Sequence, residues 1–333
     1  MTTSGRRQFL QGGLILAGIG LLTGCGVIAP QAPPPPKTPR VGLLFAASDI
    51  ARPALQEGLQ ELGYVEGQTI LVESRVAEGR AELLPDFAAE LARLPVDLIV
   101  TIGTAATLAA RQATGTIPIV QALGASDLVR EGVVASLAHP GGNVTGLTEL
   151  APELSAKRLQ LLKEAVPGLR RAAVLWNPAS PAAAQAVGET HTAAQTLGLQ
   201  LQSLEVRTSE ELESLAEAAT REQAEALVVL TDPLTVTRQA RIGALATAAR
   251  LPAIFDRRGF AVGGGLLSYG PDTSYLYRRA ASYVDKILKG TSPADLPIEQ
   301  PTKFDFVINL KTARALGLTI PQSILMQATE VIQ

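Results

Sequence analysis

The chain has 333 residues, 47% hydrophobic and 18% charged, and its 29 Lys+Arg against 31 Asp+Glu leave a formal net charge of -2. That apolar content is enough to build cores and excludes a disordered chain. The length fits two domains, and the balanced charge gives no basic field for nucleic acid. One Cys and two His exclude a disulfide scaffold and leave little for zinc or histidine-based catalysis.

Residues 1–24 read as an export signal. Arg6 and Arg7 precede an apolar run of 11 residues from Gly12 to Leu22. A run that short cannot cross a hydrocarbon core, which needs about 20 residues, but it fits a signal-peptide h-region. Leu22-Thr23-Gly24-Cys25 resembles the bacterial lipobox, so Cys25 is expected to carry the lipid, palmitate included, that holds the chain on a membrane. Arg6-Arg7-Gln8-Phe9-Leu10 resembles a twin-arginine signal, with Gly5 and Gln11 departing from its usual residues. Residues 25–39 then form a Pro-rich tether, an extended spacer of about 3.1 Å per residue. The expected location is the periplasmic or extracellular face of the cell envelope.

From Arg40 onward apolar runs alternate with helical periodicity. Strands are predicted at 41–46, 69–76, 97–103, 117–121 and 143–147. The helices between them lie around Leu55–Leu59–Leu62, at 81–94, at 104–113 and at 128–138. The pattern then restarts. Leu159, Leu162 and Val166 mark a helix. Strands at 171–176, 199–206, 226–230 and 252–255 alternate with helices at 181–197, 209–222 and 235–249. A strand at 266–269, a long helix capped by Asp272, a strand at 304–309 and a helix at 311–316 close the chain. Such βαβ alternation means two doubly wound α/β lobes with parallel sheets. The last segment is too small for a third domain and returns to both. Lobe 1 is expected at 40–147 plus 269–301 and lobe 2 at 148–268 plus 302–333. Three crossings between lobes make a hinge and a cleft.

Fingerprints of chemistry are missing. No G-x-G-x-x-G follows a strand, and there is no G-x-x-x-x-G-K-[ST] and no G-x-S-x-G. His139 lies in a turn and His191 mid-helix, so no catalytic residue, cofactor or metal is expected. Polar residues at the carboxyl ends of strands remain, where open α/β sheets bind ligands. These are Ser48 and Asp49, then Thr104 and Ala105, then Ser126 and Asp127 in the first half. The second half supplies Asn177, Thr231 and Asp232, Asp256 and Arg257, with Tyr269 at a crossing. Hydroxyls and helix-start N–H groups suit a carboxylate, and a buried Asp suits an ammonium group. Each residue taken alone also reads as an ordinary N-cap. Thr104 and Asp232 rise above that, because they follow the two best-defined strands.

Leu62-Gly-Tyr-Val-Glu-Gly67, Ile102-Gly-Thr-Ala-Ala106, Pro140-Gly-Gly-Asn-Val-Thr-Gly146, Asn177-Pro178, Gly264-Gly-Leu-Leu-Ser-Tyr-Gly270 and Val307-Ile-Asn-Leu-Lys311 resemble ABC-transporter substrate-binding proteins of the tryptophan/tyrosine type. The resemblance spans residues 40–332. It implies a type I periplasmic-binding-protein fold, a small-molecule ligand such as an amino acid or carboxylate between the lobes, and a membrane permease as partner of a monomeric receptor. In members that bind aromatic amino acids, a Gly-Thr and a Thr-Asp serve the ligand, and Gly103-Thr104 and Thr231-Asp232 match them. Asp256-Arg257-Arg258 departs from the pattern, and an arginine in the cleft would suit an acid without an amino group. The rival expectations are a sensory receptor for a membrane kinase and an exported α/β enzyme.

Overall fold

The computed structural model describes residues 37–149, 153–221 and 223–333. The export signal, Cys25 and the tether up to residue 36 lie outside the described residues. The first half runs β1 (Arg40–Phe45), α1 (Arg52–Glu61), β2 (Leu71–Val76), α2 (Leu84–Arg93), β3 (Leu98–Ile102), α3 (Thr104–Ala113), β4 (Ile119–Leu123) and β5 (Val144–Gly146). Next come α4 (Glu153–Ala165), β6 (Arg171–Trp176), α5 (Pro181–Thr196), β7 (Gln200–Glu205), α6 (Leu215–Arg221) and β8 (Ala226–Val229). They are followed by α7 (Pro233–Thr237), α8 (Gln239–Ala248), β9 (Ala253–Phe255), α9 (Arg258–Val262) and β10 (Leu267–Pro271). The chain closes with α10 (Thr273–Leu288), β11 (Phe304–Asn309), α11 (Leu310–Ala315), α12 (Gln322–Leu325) and β12 (Glu330–Ile332).

Two sheets form. The first is wholly parallel in the order β2-β1-β3-β4-β5, and the second has the order β12-β11-β10-β9-β8-β6-β7. In the second sheet β10 and β11 run antiparallel, with Leu267 opposite Ile308. The central strands are apolar because parallel sheets are covered on both faces; β3 and β4 are buried at every position. Each sheet accordingly has two cores. One face of the first sheet packs on α1 and α10 through Leu55, Leu59, Leu276 and Tyr283, and the other on α2 and α3 through Ala88, Leu91 and Ala106. The second sheet is covered by α4, α5, α11 and α12 on one face and by α6 to α9 on the other. Gly58 lets α1 and α10 touch, since a Cβ there would sit 2.6 Å from the Arg278 carbonyl oxygen.

The chain passes from the first sheet to the second after β5, back after β10, and across again before β11. The crossings lie side by side: Thr148 N–H donates to the Glu299 carbonyl at 3.0 Å, and Asp272 N–H to that of Lys303 at 3.0 Å. Tyr269 pairs with Phe306 inside the second sheet, so the chain leaves that sheet after Pro271 rather than at 269. The helix expected at 128–138 is absent. A turn there ends at Gly132, whose φ of 66° halts helix propagation, and the chain continues in bends. The short α9, α12 and β12 were not expected.

Candidate functional site

Both sheets reverse strand order at one point, between β1 and β3 in the first and between β6 and β8 in the second. Ligands of doubly wound sheets bind at the carboxyl ends beside such switch points. Here both switch points open on one cavity of about 380 Å³ between the lobes. Ala46, Ala47, Gly103 and Thr104 reach it from the first sheet, and Asn177, Thr231 and Asp232 from the second. Much of the wall is made of small side chains, among them Ala81, Ala105, Ala125, Ala179 and Ala182.

Several helices begin at this cavity, α3, α5, α7, α8, α9 and α10 among them. Side chains cap three of them: Ser180 accepts from Ala183 N–H on α5, Asp232 from Thr235 N–H on α7, and Asp272 from Tyr275 N–H on α10. The longer α3 begins at Gly103 and has no side-chain cap, and neither have α8 and the one-turn α9. Gly103 holds a φ of 98°, and a Cβ there would lie 2.8 Å from that of Ala46. The first N–H groups of α3 therefore stay available, at the positive end of its dipole, for an acceptor in the cavity. Thr104 Oγ1 accepts from Ser126 N–H at 3.1 Å. The Ser126 hydroxyl is itself buried and has no partner among the described residues. A buried orphan hydroxyl beside an uncapped helix start is an arrangement that a bound anionic group completes.

On the opposite wall Asp232 is 4% exposed. Its carboxylate accepts from Thr235 N–H and from Asn177 Nδ2, both at 2.7 Å, and the Thr235 hydroxyl answers the Asp232 N–H at 2.9 Å. Thr231 donates its hydroxyl to Asp256.

A buried charge cluster joins the lobes. Glu149 follows β5, where its N–H donates to the Gly124 carbonyl, and Arg257 follows β9. Arg257 Nη2 donates to Glu149 Oε1 at 2.8 Å, Nη1 lies 2.8 Å from Oε2, and Asp256 Oδ2 is 3.5 Å from Nη2. Arg158 on α4, also buried, donates through Nε to the Tyr269 carbonyl at 2.8 Å. Burial works against the charged Arg257 guanidinium, but Asp256 and Glu149 outweigh it and hold the group above its ordinary value. Burial pushes the Glu149 carboxyl up, with Arg257 pulling the other way, and burial lowers Arg158. The two acids and two guanidinium groups compensate one another, as buried charges must.

Of the residues picked out from the sequence, Thr104, Ala105, Ser126, Asn177, Thr231, Asp232 and Arg257 line the cavity. Five do not. Ser48 starts a short 3₁₀ turn without capping it, and Asp49 is exposed. Asp127 folds onto its own loop, accepting from Val129 and Arg130 N–H groups. Asp256 sits behind Arg257. Tyr269 packs between Phe304 and Phe306 of its own lobe, with ring centroids 6.1 and 6.0 Å away. Trp176, at the end of β6, packs at the edge of the second-lobe core. An arginine does stand in the cleft, but its charge is already neutralised, so it does not by itself call for an anionic solute. Sequence reasoning missed Glu149, Gly79 and Tyr277 at the cavity. Gly79 had a weak signal, the glycine after a strand; the other two had none.

Residues 45–332 match the model of a family described as ABC transporter substrate binding protein. The chain belongs to the ABC transporter substrate-binding protein family. It is 28% identical over 271 residues to a tyrosine-binding protein of Clostridioides difficile (strain R20291), covering 81% of this chain and 77% of that one. A conserved domain protein from Vibrio cholerae superposes with a TM-score of 0.83 at 28% identity, over 89% of this chain and 100% of that one. An ABC domain from Streptococcus pneumonia in complex with L-Trp gives 0.81 at 26% identity, with the same coverage. The ligand-free, open structure of a substrate binding protein with adhesive properties from Clostridium difficile gives 0.65 at 25% identity, over 89% and 99%. Across the cleft of this family member, a Cβ on Gly79 of lobe 1 would lie 3.4 Å from the Pro233 carbonyl oxygen of lobe 2.

Proposed function

We propose that the chain is the extracytoplasmic solute receptor of an ABC importer and that its solute is a small carboxylate, amino acids included. The carboxylate lies at the start of α3 against the Ser126 hydroxyl, and an amino group, where the solute has one, lies against Asp232 and Asn177. The uncapped α3 start beside an unpartnered buried hydroxyl carries this reading. The relatives' tyrosine and L-Trp support it. Ligand contacts both lobes and favours the closed form, which the permease recognises; the chain itself breaks no bond. Lobe 1 comprises β1 to β5 with α10, and lobe 2 the elements of the second sheet. The chain works as a monomer, tethered through residues 25–39 to a lipid on Cys25 after export, by the twin-arginine route.

Titration calorimetry with L-tryptophan, L-tyrosine and 3-phenylpropanoate, each against its methyl ester, tests the site. At least one free acid is expected to bind at least 10-fold tighter than its ester, and Ser126→Ala to weaken that acid about 10-fold, the worth of one hydrogen bond to a charged group. Equal binding of acid and ester, or no binding of any acid, would falsify the reading.

A further inference from the structure

The cavity has a second polar end. Tyr277 reaches it from α10, which covers the face of the first sheet opposite α3. The ring is 9% exposed and packs into the lobe 1 core. Buried tyrosine hydroxyls normally have partners, as the buried Tyr283 and the half-buried Tyr64 do. Tyr283 donates to the Pro297 carbonyl at 2.7 Å and Tyr64 to Asp285 at 3.0 Å. The Tyr277 hydroxyl has no hydrogen bond among the described residues. Burial pushes it up to about 12, so it is a neutral O–H at working pH, able both to donate and to accept.

The groups facing it are the charge cluster: Arg257, Glu149 and Asp256 are its electrostatic neighbours. With Arg158 they sum to no net charge, and the Arg257 guanidinium already has carboxylates on two sides. A cationic or anionic solute group placed here would unbalance a compensated, desolvated set. An uncharged hydrogen-bonding group would not, and would give the orphan hydroxyl its partner.

We propose that Tyr277 is a specificity-determining residue of the site, hydrogen-bonding a second, uncharged polar group of the solute such as a hydroxyl or amide. The solute class is thereby narrowed to carboxylates bearing a further neutral polar group. This rests on the carboxylate site proposed above.

Two probe pairs differ by one hydroxyl: L-tyrosine against L-phenylalanine, and 3-(4-hydroxyphenyl)propanoate against 3-phenylpropanoate. In at least one pair the hydroxylated member is expected to bind the wild-type chain about 10-fold tighter, since losing one satisfied hydrogen bond is worth about that much. Tyr277→Phe should shrink the ratio to below about 3-fold and leave the unhydroxylated member within about 2-fold. It keeps the ring and removes only an unpaired hydroxyl, so its thermal midpoint should match the parent's. Tyr283→Phe serves as control, lowering the midpoint without moving the ratio. A pair ratio near one in the wild type, or one that survives Tyr277→Phe, overturns this proposal alone. Failure of all four acids to bind overturns the carboxylate site and this proposal with it.

Discussion

Gly103 does two jobs at one residue. Its φ of 98° turns the chain from β3 into α3, and its missing side chain makes room for Ala46. Gly103→Ala should therefore lose about 2–3 kcal/mol, combining backbone strain with a 2.8 Å Cβ contact, and should weaken solute binding more than 10-fold by displacing the α3 start. Gly63 is the matched control, with φ 87° and open space around a Cβ; Gly63→Ala should lose about 1 kcal/mol and leave binding unchanged. Urea denaturation and calorimetry on both variants read the difference, and equal losses would show that the Ala46 contact is immaterial. Gly103-Thr104 was legible because a glycine and a hydroxyl follow an unbroken apolar run. Tyr277 was not. Helical spacing puts Leu276, Ala280, Tyr283 and Ile287 on the core stripe, but whether its neighbour meets a cavity depends on where the helix docks.

At the scale of elements, the return segment after α10 is pinned by charge. Arg279 on α10 donates to both Glu299 oxygens, at 2.6 and 2.9 Å, and Glu299 in turn bridges to Leu147 through the backbone. The Arg279 hydrogen bond holds the Glu299 carboxyl below its ordinary range. A depressed folded pKa contributes stability that is present above the unfolded value, about 4.3, and is lost as pH falls through the folded one. The pair is partly exposed, at 35% and 33%, so it is worth no more than about 1 kcal/mol. The thermal midpoint of the wild type should exceed that of Glu299→Gln at pH 7, and the gap should begin to narrow near the unfolded value of about 4.3 and close once pH is under the folded one. A gap that persists there would rule out the charge as its cause. The central strands and long helices of both lobes were legible from apolar runs and 3.6-residue periodicity. The misread helix at 128–138 carried that periodicity too, but Gly132 at positive φ broke it. β12 is three half-buried residues on a sheet edge, too short to leave a pattern.

For the whole molecule, location and architecture meet at the tether. No helix among the described residues is long and apolar enough to cross a membrane. The proposed membrane attachment is through a lipid on Cys25. Cys25→Ser should move the chain from the membrane to the soluble fraction and abolish incorporation of a palmitate analogue, while solute affinity stays within 2-fold. A Cys25→Ser chain that still sediments with membranes would sink the lipid anchor. The sequence by itself determined the two parallel α/β lobes, because strands covered on both faces must be apolar and crossovers must be helical. It also marked Thr104, Asn177 and Asp232, because switch points lie at strand ends. Only the tertiary structure decided which strand-end residues share a cavity. Glu149 and Arg257 stand 108 residues apart in segments with no local signature, and Asp256, next in sequence to Arg257, turns behind it. Charge pairing across lobes follows from how three chain crossings stack, and no periodicity along the chain encodes that.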